Sequence, residues 1–239
     1  MTPYINCFKI YIQRVIFTPI TFVAEVCARL SPTRLQSRKV FQRPPMDKHL
    51  PNGCSAKFSD IVDLFNMEAT VTLKKAHCLK PCALQPKCIE KTSVKLAVSV
   101  FCESTRDALK FYSSNEGRTS WAGAADFITW IIKLWNILNV KTSTKGKHKR
   151  DFTMDAVRST QDWKLHFLTE FAAFMQQWKV SQTAWMTRET FLAVRHTCLS
   201  LVECASYLLE KVGFNYVLLG RLHSDPIESR FGWLRQLSG

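Results

Sequence analysis

Apolar residues recur along this chain at the spacing of a helix face, and two segments repeat the same intervals. Phe127, Ile128, Ile131, Leu134, Trp135 and Leu138 form one stripe, and Phe167, Leu168, Phe171, Phe174, Met175 and Trp178 form the other. Phe191, Val194, Cys198, Leu201, Val202, Ala205 and Leu208 make a further stripe, with Thr187 placed to open it and Gly213 to close it. Upstream, Val94, Ala97, Val98, Phe101, Ala108, Leu109 and Tyr112 mark one more. A helix turns every 3.6 residues or so, about the period of these stripes, so each set lies on one side and leaves water only by packing. The pattern predicts a mainly α protein with about five helices between residues 58 and 212. Phe127, Trp135, Phe171, Trp178, Phe191 and Leu208 are expected to be buried together.

Shorter segments fill in the rest. Ser59 is a good N-cap for a helix running through Asp60 to Phe65. Residues 31–57 are rich in Pro, Ser and Arg, lack periodicity and read as a linker. Residues 214–219 suit either a strand or an extended connector. No internal repeat is present.

The chain has 239 residues, 46% of them hydrophobic and 22% charged, which is enough for one or two domains with a true core. Seven Trp and sixteen Phe argue against disorder. The net charge of +14 favours a polyanionic partner such as DNA, RNA, a nucleotide or an acidic membrane surface, without choosing among them. Residues 1–30 are apolar but interrupted by Lys9, Arg14, Pro19, Glu25 and Arg29. They hold no uncharged run of the roughly 18 residues that would suggest a membrane span, so no membrane partner is expected. The first 46 residues carry seven Lys/Arg and one acid, a mild likeness to a mitochondrial presequence.

Nine cysteines are scattered through the chain and read as reduced, intracellular thiols. Cys78, Cys82 and Cys88, with His77 adjacent, have no matching downstream pair at common zinc spacing, so they read as loop thiols before they read as a metal site. No Walker A motif and no G-x-S-x-G elbow occurs.

Two segments bear candidate chemistry. Residues 141–150 carry Lys141, Lys145, Lys147, Lys149 and Arg150 around Gly146. Cations beside a glycine suit a phosphate cradle, but composition alone favours a solvated basic loop, and a nuclear-localisation run also fits. Near the end, Asp225 and Glu228 stand three residues apart and so share a face if helical. They lie in the string D-P-x-E-x-x-F-G-x-x-R-x-x-x-G, residues 225–239.

That string resembles the segment of P-element-type transposases, the THAP-domain-related family, that holds the last acid of a DDE nuclease triad. Further short matches precede it in family order. Residues 58–65 resemble W-x-D-I-V-x-L-Y, and residues 76–80 resemble A-x-K-L-T. Val94-Lys95-Leu96-Ala97 with Val100-Phe101 and Ala108-Leu109 resembles the V-K-L-A helix, and residues 135–141 resemble W-D-I-x-N-V-R. Residues 187–191, Leu208-Leu209, Gly213-Phe214 and residues 216–220 also match, so the likeness covers roughly residues 55–239.

The resemblance implies a helical insertion domain that binds GTP and Mg2+, interrupting an RNase H-like catalytic fold. Residues 1–54 would then be a poorly ordered basic segment and linker. Residues 55–220 would be the insertion domain, and 221–239 the start of the RNase H-like segment. Asn139, Lys145, Lys147 and Asp225 would bind the nucleotide, Asp225 facing its Mg2+. Glu228 would be the catalytic acid facing the catalytic metals. DNA at transposon ends would be the macromolecular partner, homo-oligomers would be the assembly, and the nucleus the compartment, with mitochondrion or cytoplasm as alternatives.

The chain also departs from the family. A two-metal site needs carboxylates on both metals, and Glu25 and Asp47 are the only acids before residue 55. The chain also stops eleven residues after Glu228. The expectation is therefore a truncated or domesticated copy, or a partial gene model, without transposase chemistry of its own. The alternative is a host-adapted basic module that binds DNA or protein and no nucleotide.

Overall fold

The computed structural model describes residues 48–49, 55–86, 94–180, 188–222 and 233. Among them the protein is mainly helical, as the stripes predict. Asp225, Glu228, Cys88 and Thr187 lie outside the described residues, as do the presequence-like N-terminus and nearly all of the RNase H-like segment.

Eight α-helices are present among the described residues: α1 Phe58–Met67, α2 Pro81–Leu84, α3 Val94–Val100, α4 Glu103–Asn115, α5 Trp121–Leu138, α6 Lys145–Lys149, α7 Trp163–Val180 and α8 Arg188–Glu210. Two short strands, β1 Lys48–His49 and β2 Ser55–Ala56, pair antiparallel with Lys48 opposite Ala56. This ladder stands where the sequence reads as a linker. No helix among the described residues is long and apolar enough to cross a membrane.

The chain divides into two compact units. Of the described residues, one unit holds those within 20–134 and 174–190, the other those within 135–173 and 191–239. In the first, α1 begins one residue before the expected Ser59 cap. Lys57 is the N-cap, in extended conformation, and makes no side-chain cap bond. Phe58, Ile61 and Leu64 are buried from one face of this helix. The stripe at residues 94–112 belongs to two helices. Cys102, at φ −122° and ψ 167°, breaks the ladder between α3 and α4, and its Sγ donates to the Ser99 carbonyl at 3.2 Å. The core includes Leu64, Val100, Leu109, Ile128 and Ile131, with edge-to-face contacts between Phe101 and Phe127 and between Tyr112 and Trp121.

A buried carboxylate organises the loop after α1. Glu68, 2% exposed, accepts hydrogen bonds from the Lys75 and Ala76 amides at 3.0 Å each and from the Tyr112 hydroxyl at 3.2 Å. Burial first, and the Glu68 charge second, push the Tyr112 hydroxyl above its ordinary pKa.

In the second unit the core includes Ile137, Val140, Val157, Leu168, Phe171, Phe191, Val194, Cys198 and Ala205. Burial pushes the Cys198 thiol up to about 12, so it stays protonated and packs as an apolar group. Phe127, Phe171 and Phe191 are buried as expected, whereas Trp135 and Leu208 are only half-buried, at the margins of their stripes, and the Trp178 side chain lies outside the described residues. Asp162 caps α7 by accepting from the Lys164 amide at 3.0 Å, and its second oxygen pairs with the buried Lys164 ammonium at 2.9 Å. Gly213, at φ +79°, follows the end of α8, and the Phe214 amide returns to the Leu208 carbonyl at 3.0 Å. Residues 214–219 are a connector, with Val217 bridged to Val157 before a 3-10 turn at Leu219–Arg221.

Candidate functional site

The end of α5 and the basic segment after it form the candidate site, all within the second unit. The basic residues are not a plain loop. Lys145 to Lys149 wind into the short helix α6, closed by Arg150 in the left-handed region at φ 52° and ψ 38°. A non-glycine residue there carries roughly 1–2 kcal/mol of strain, so neighbouring contacts must hold it. The contacts begin in the backbone: the Asp151 amide donates to the Gly146 carbonyl at 3.0 Å, and the Arg150 amide to the Lys147 carbonyl at 3.3 Å.

Two of the sequence-predicted residues meet. The Lys145 ammonium donates to the backbone carbonyl of Asn139 at 3.4 Å. The Asn139 side chain itself turns back and donates to the Trp135 carbonyl at 2.9 Å, so it satisfies the helix end. Lys147, with His148, Lys149 and Arg150, is exposed. This leaves a cationic surface around a buried glycine, a donor set suited to phosphate oxygens.

Gly146 is required by space. A Cβ there would collide with the Asp155 carboxylate, its Cγ at 2.6 Å, and would stand 3.0 Å from the Asp151 carbonyl. Gly146→Ala is expected to push the Asp155 side chain aside at a cost of about 1 kcal/mol, because the obstacle is mostly the end of a flexible side chain. Thermal denaturation checks it, and a loss above about 3 kcal/mol would mean that Asp155 cannot move.

Residues that the sequence reading passed over complete the site. Asn136, 7% exposed, donates through Nδ2 to Asp151 Oδ2 at 3.0 Å and to Thr153 Oγ1 at 3.1 Å. Asp151 Oδ1 accepts from the Thr153 amide at 2.9 Å and from its hydroxyl at 2.6 Å. The signal was the D-x-T spacing of Asp151 and Thr153, an Asx-type turn with its own side-chain bond. Gly220 closes the far side, its amide donating to the Val140 carbonyl at 3.0 Å, while Arg221 Nε donates to the Lys141 carbonyl at 2.8 Å. Among the described residues no group of three or more His, Cys, Asp or Glu stands ready for a metal ion.

Comparison with known proteins gives two matches. Residues 37–151 match the family model of the TNP-like, GTP-binding insertion domain. A solved Drosophila P element transposase strand transfer complex matches with a TM-score of 0.63 at 20% identity, over 77% of this chain and 41% of that chain. The likeness is one of fold, and this chain spans about two fifths of that transposase's length. No curated protein matches. Residues 37–151 are thus similar to the TNP-like, GTP-binding insertion domain, with the match ending at Asp151 just past the basic turn, and the fold over most of the chain is like that of the P element transposase.

Proposed function

We propose that the insertion domain binds a guanine nucleotide at the basic turn and serves P-element-type DNA transposition in the nucleus. The observation that carries the reading is the family match over residues 37–151, which takes in the exposed cations of α6. Lys147 and Lys149 would meet the phosphates, and Lys145 would swing from the Asn139 carbonyl to join them. Until the nucleotide arrives, Asn139 would hold Lys145 through its backbone oxygen. Mg2+ would neutralise phosphate charge when bound, and Asp225 is the residue proposed to face it. Glu228 is assigned the third catalytic carboxylate of the family, and a single carboxylate does not assemble a two-metal site. Transposon-end DNA and a second copy of the chain are the proposed macromolecular partners.

Each charge-assisted phosphate contact should contribute about 1.5–3 kcal/mol. Lys145→Ala with Lys147→Ala should therefore weaken GTP binding at least about tenfold in calorimetry with Mg2+ present. Equal affinity for ATP and GTP, or no loss in the double variant, would defeat the reading. The net charge of +14 favours one rival, a basic module that holds DNA and no nucleotide. Duplex DNA binding with a steep salt dependence and no GTP signal would establish that rival.

A further inference from the structure

We infer that Asn136 is the positioning residue of the basic turn: by clamping Asp151 and Thr153 it holds α6 and Arg150 in the shape that presents Lys147 and Lys149. The inference rests on the nucleotide reading for its consequence, and on geometry for its cause. Asn136 is buried near the end of α5, and both protons of its amide point out of the helix into the chain that follows α6. They meet an acceptor-only carboxylate and a hydroxyl, so the donors and acceptors are matched in sense. Asp151 in turn fixes Thr153 through its other oxygen and ties its own amide to Gly146, the second residue of α6. A continuous path of hydrogen bonds thus runs from α5 through Asp151 to the base of the cationic helix.

The strain at Arg150 shows that something must hold this turn. Helix α6 is five residues long, too short to persist by its own hydrogen bonds. Its cations Lys147 and Lys149 are exposed and repel one another, and Arg150 sits in a conformation that glycine would adopt more readily. The clamp is the set of contacts placed to offset both costs. Without it, the turn would relax and the lysines would lose a common direction, though each would keep its charge. Asn136 touches no ligand in this scheme and acts wholly through Asp151 and Thr153.

The sense of the hydrogen bonds gives a reciprocal test on the full chain. Asn136→Asp sets acceptor against acceptor and should open the turn. Asn136→Asp combined with Asp151→Asn restores a donor facing an acceptor with the direction reversed. Two readouts are taken: the initial rate of trypsin cleavage after Lys147, Lys149 and Arg150, and GTP affinity by calorimetry. The single variant should be cut about tenfold faster and bind about tenfold more weakly, and the double variant should recover most of both. Should Asn136→Asp fail to fold, Thr153→Ala, which removes only one arm of the clamp, should show the same changes at about threefold. Unchanged cleavage and affinity in a folded Asn136→Asp, or in Thr153→Ala where that is the variant tested, would overturn the inference, as would a folded double variant that recovers neither. Wild-type chain that binds no GTP would overturn the nucleotide reading, and with it the functional half of the inference. The cleavage arm would then decide separately whether Asn136 holds the turn.

Discussion

Glu68→Ala should destabilise the chain by about 3–5 kcal/mol, because it strands two buried donors and a part-buried one at once. The Lys75 and Ala76 amides and the Tyr112 hydroxyl all end on this carboxylate. Leaving a buried donor without an acceptor costs about 1–3 kcal/mol each, and truncation adds a cavity. The loop from Val71 to Lys75 buries little apolar surface of its own, since Leu73 is 86% exposed and Val71 is exposed too, and beyond Glu68 its side chains meet ring faces, Lys75 over Phe111 at 3.9 Å and Lys74 over Phe65 at 5.7 Å. The bond to Tyr112 joins residues 44 apart in sequence, so its loss also loosens α4 from the loop. Urea denaturation of the variant reads the cost. Removing the Glu68 charge should also lower the Tyr112 ionisation toward its ordinary value, read by ultraviolet titration, because that charge is the second cause of the upward shift. A loss under about 1 kcal/mol would mean that water replaces the carboxylate without strain.

The helical core was legible because periodicity is a property of burial. The repeated intervals from Phe127 and Phe167 placed Ile128, Ile131, Leu168, Phe171 and Met175, all now in cores. The reading failed where backbone conformation, not side-chain pattern, decides. Cys102 adopts an extended conformation that splits one stripe into α3 and α4, and nothing in its residue type announces that. Lys57 caps α1 with its backbone alone, so a cap drawn at the hydroxyl of Ser59 falls two residues late. The ladder at β1 and β2 rests on backbone pairing of two residues per strand, too short to carry an alternation.

The candidate site was legible in its charge and not in its scaffold. Lys145, Lys147 and Gly146 stand out because cations beside a glycine are compositional signals. Asn136, Asp151 and Thr153 do not, because their importance lies in facing one another from 15 and 17 residues apart. Asn139 is expected from the resemblance to bind nucleotide, yet its side chain turns back to Trp135 while its backbone carbonyl receives Lys145. Gly213 was readable as a helix end from its position after an apolar stripe, whereas Gly220 was only one letter in a family string. Its constraint comes from a backbone 80 residues away.

Gly220→Ala is the second large effect expected, and it should strike stability and nucleotide binding together. A Cβ on Gly220 would lie 2.8 Å from both the Asn139 carbonyl carbon and the Val140 oxygen, and 2.9 Å from the Val140 carbonyl carbon. All three are backbone atoms and cannot rotate away. The turn at residues 219–221 would have to lift, stretching the 3.0 Å bond from the Gly220 amide to Val140. Leu219 and Val140, both buried, would be partly uncovered. Overpacking and one weakened buried hydrogen bond together should cost about 2–4 kcal/mol. The displaced stretch, residues 139–141, leads from α5 to the cations and supplies the carbonyl that holds Lys145. A shift of a few tenths of an ångström there should also weaken GTP binding by about tenfold under the proposed function. Gly213→Ala is the control. It meets nothing within 4 Å but sits at φ +79°, so it should carry strain of about 1–2 kcal/mol and leave GTP affinity unchanged. If Gly220→Ala behaves like Gly213→Ala in both measurements, the close approach of residues 219–221 to residues 139–140 does not constrain the site.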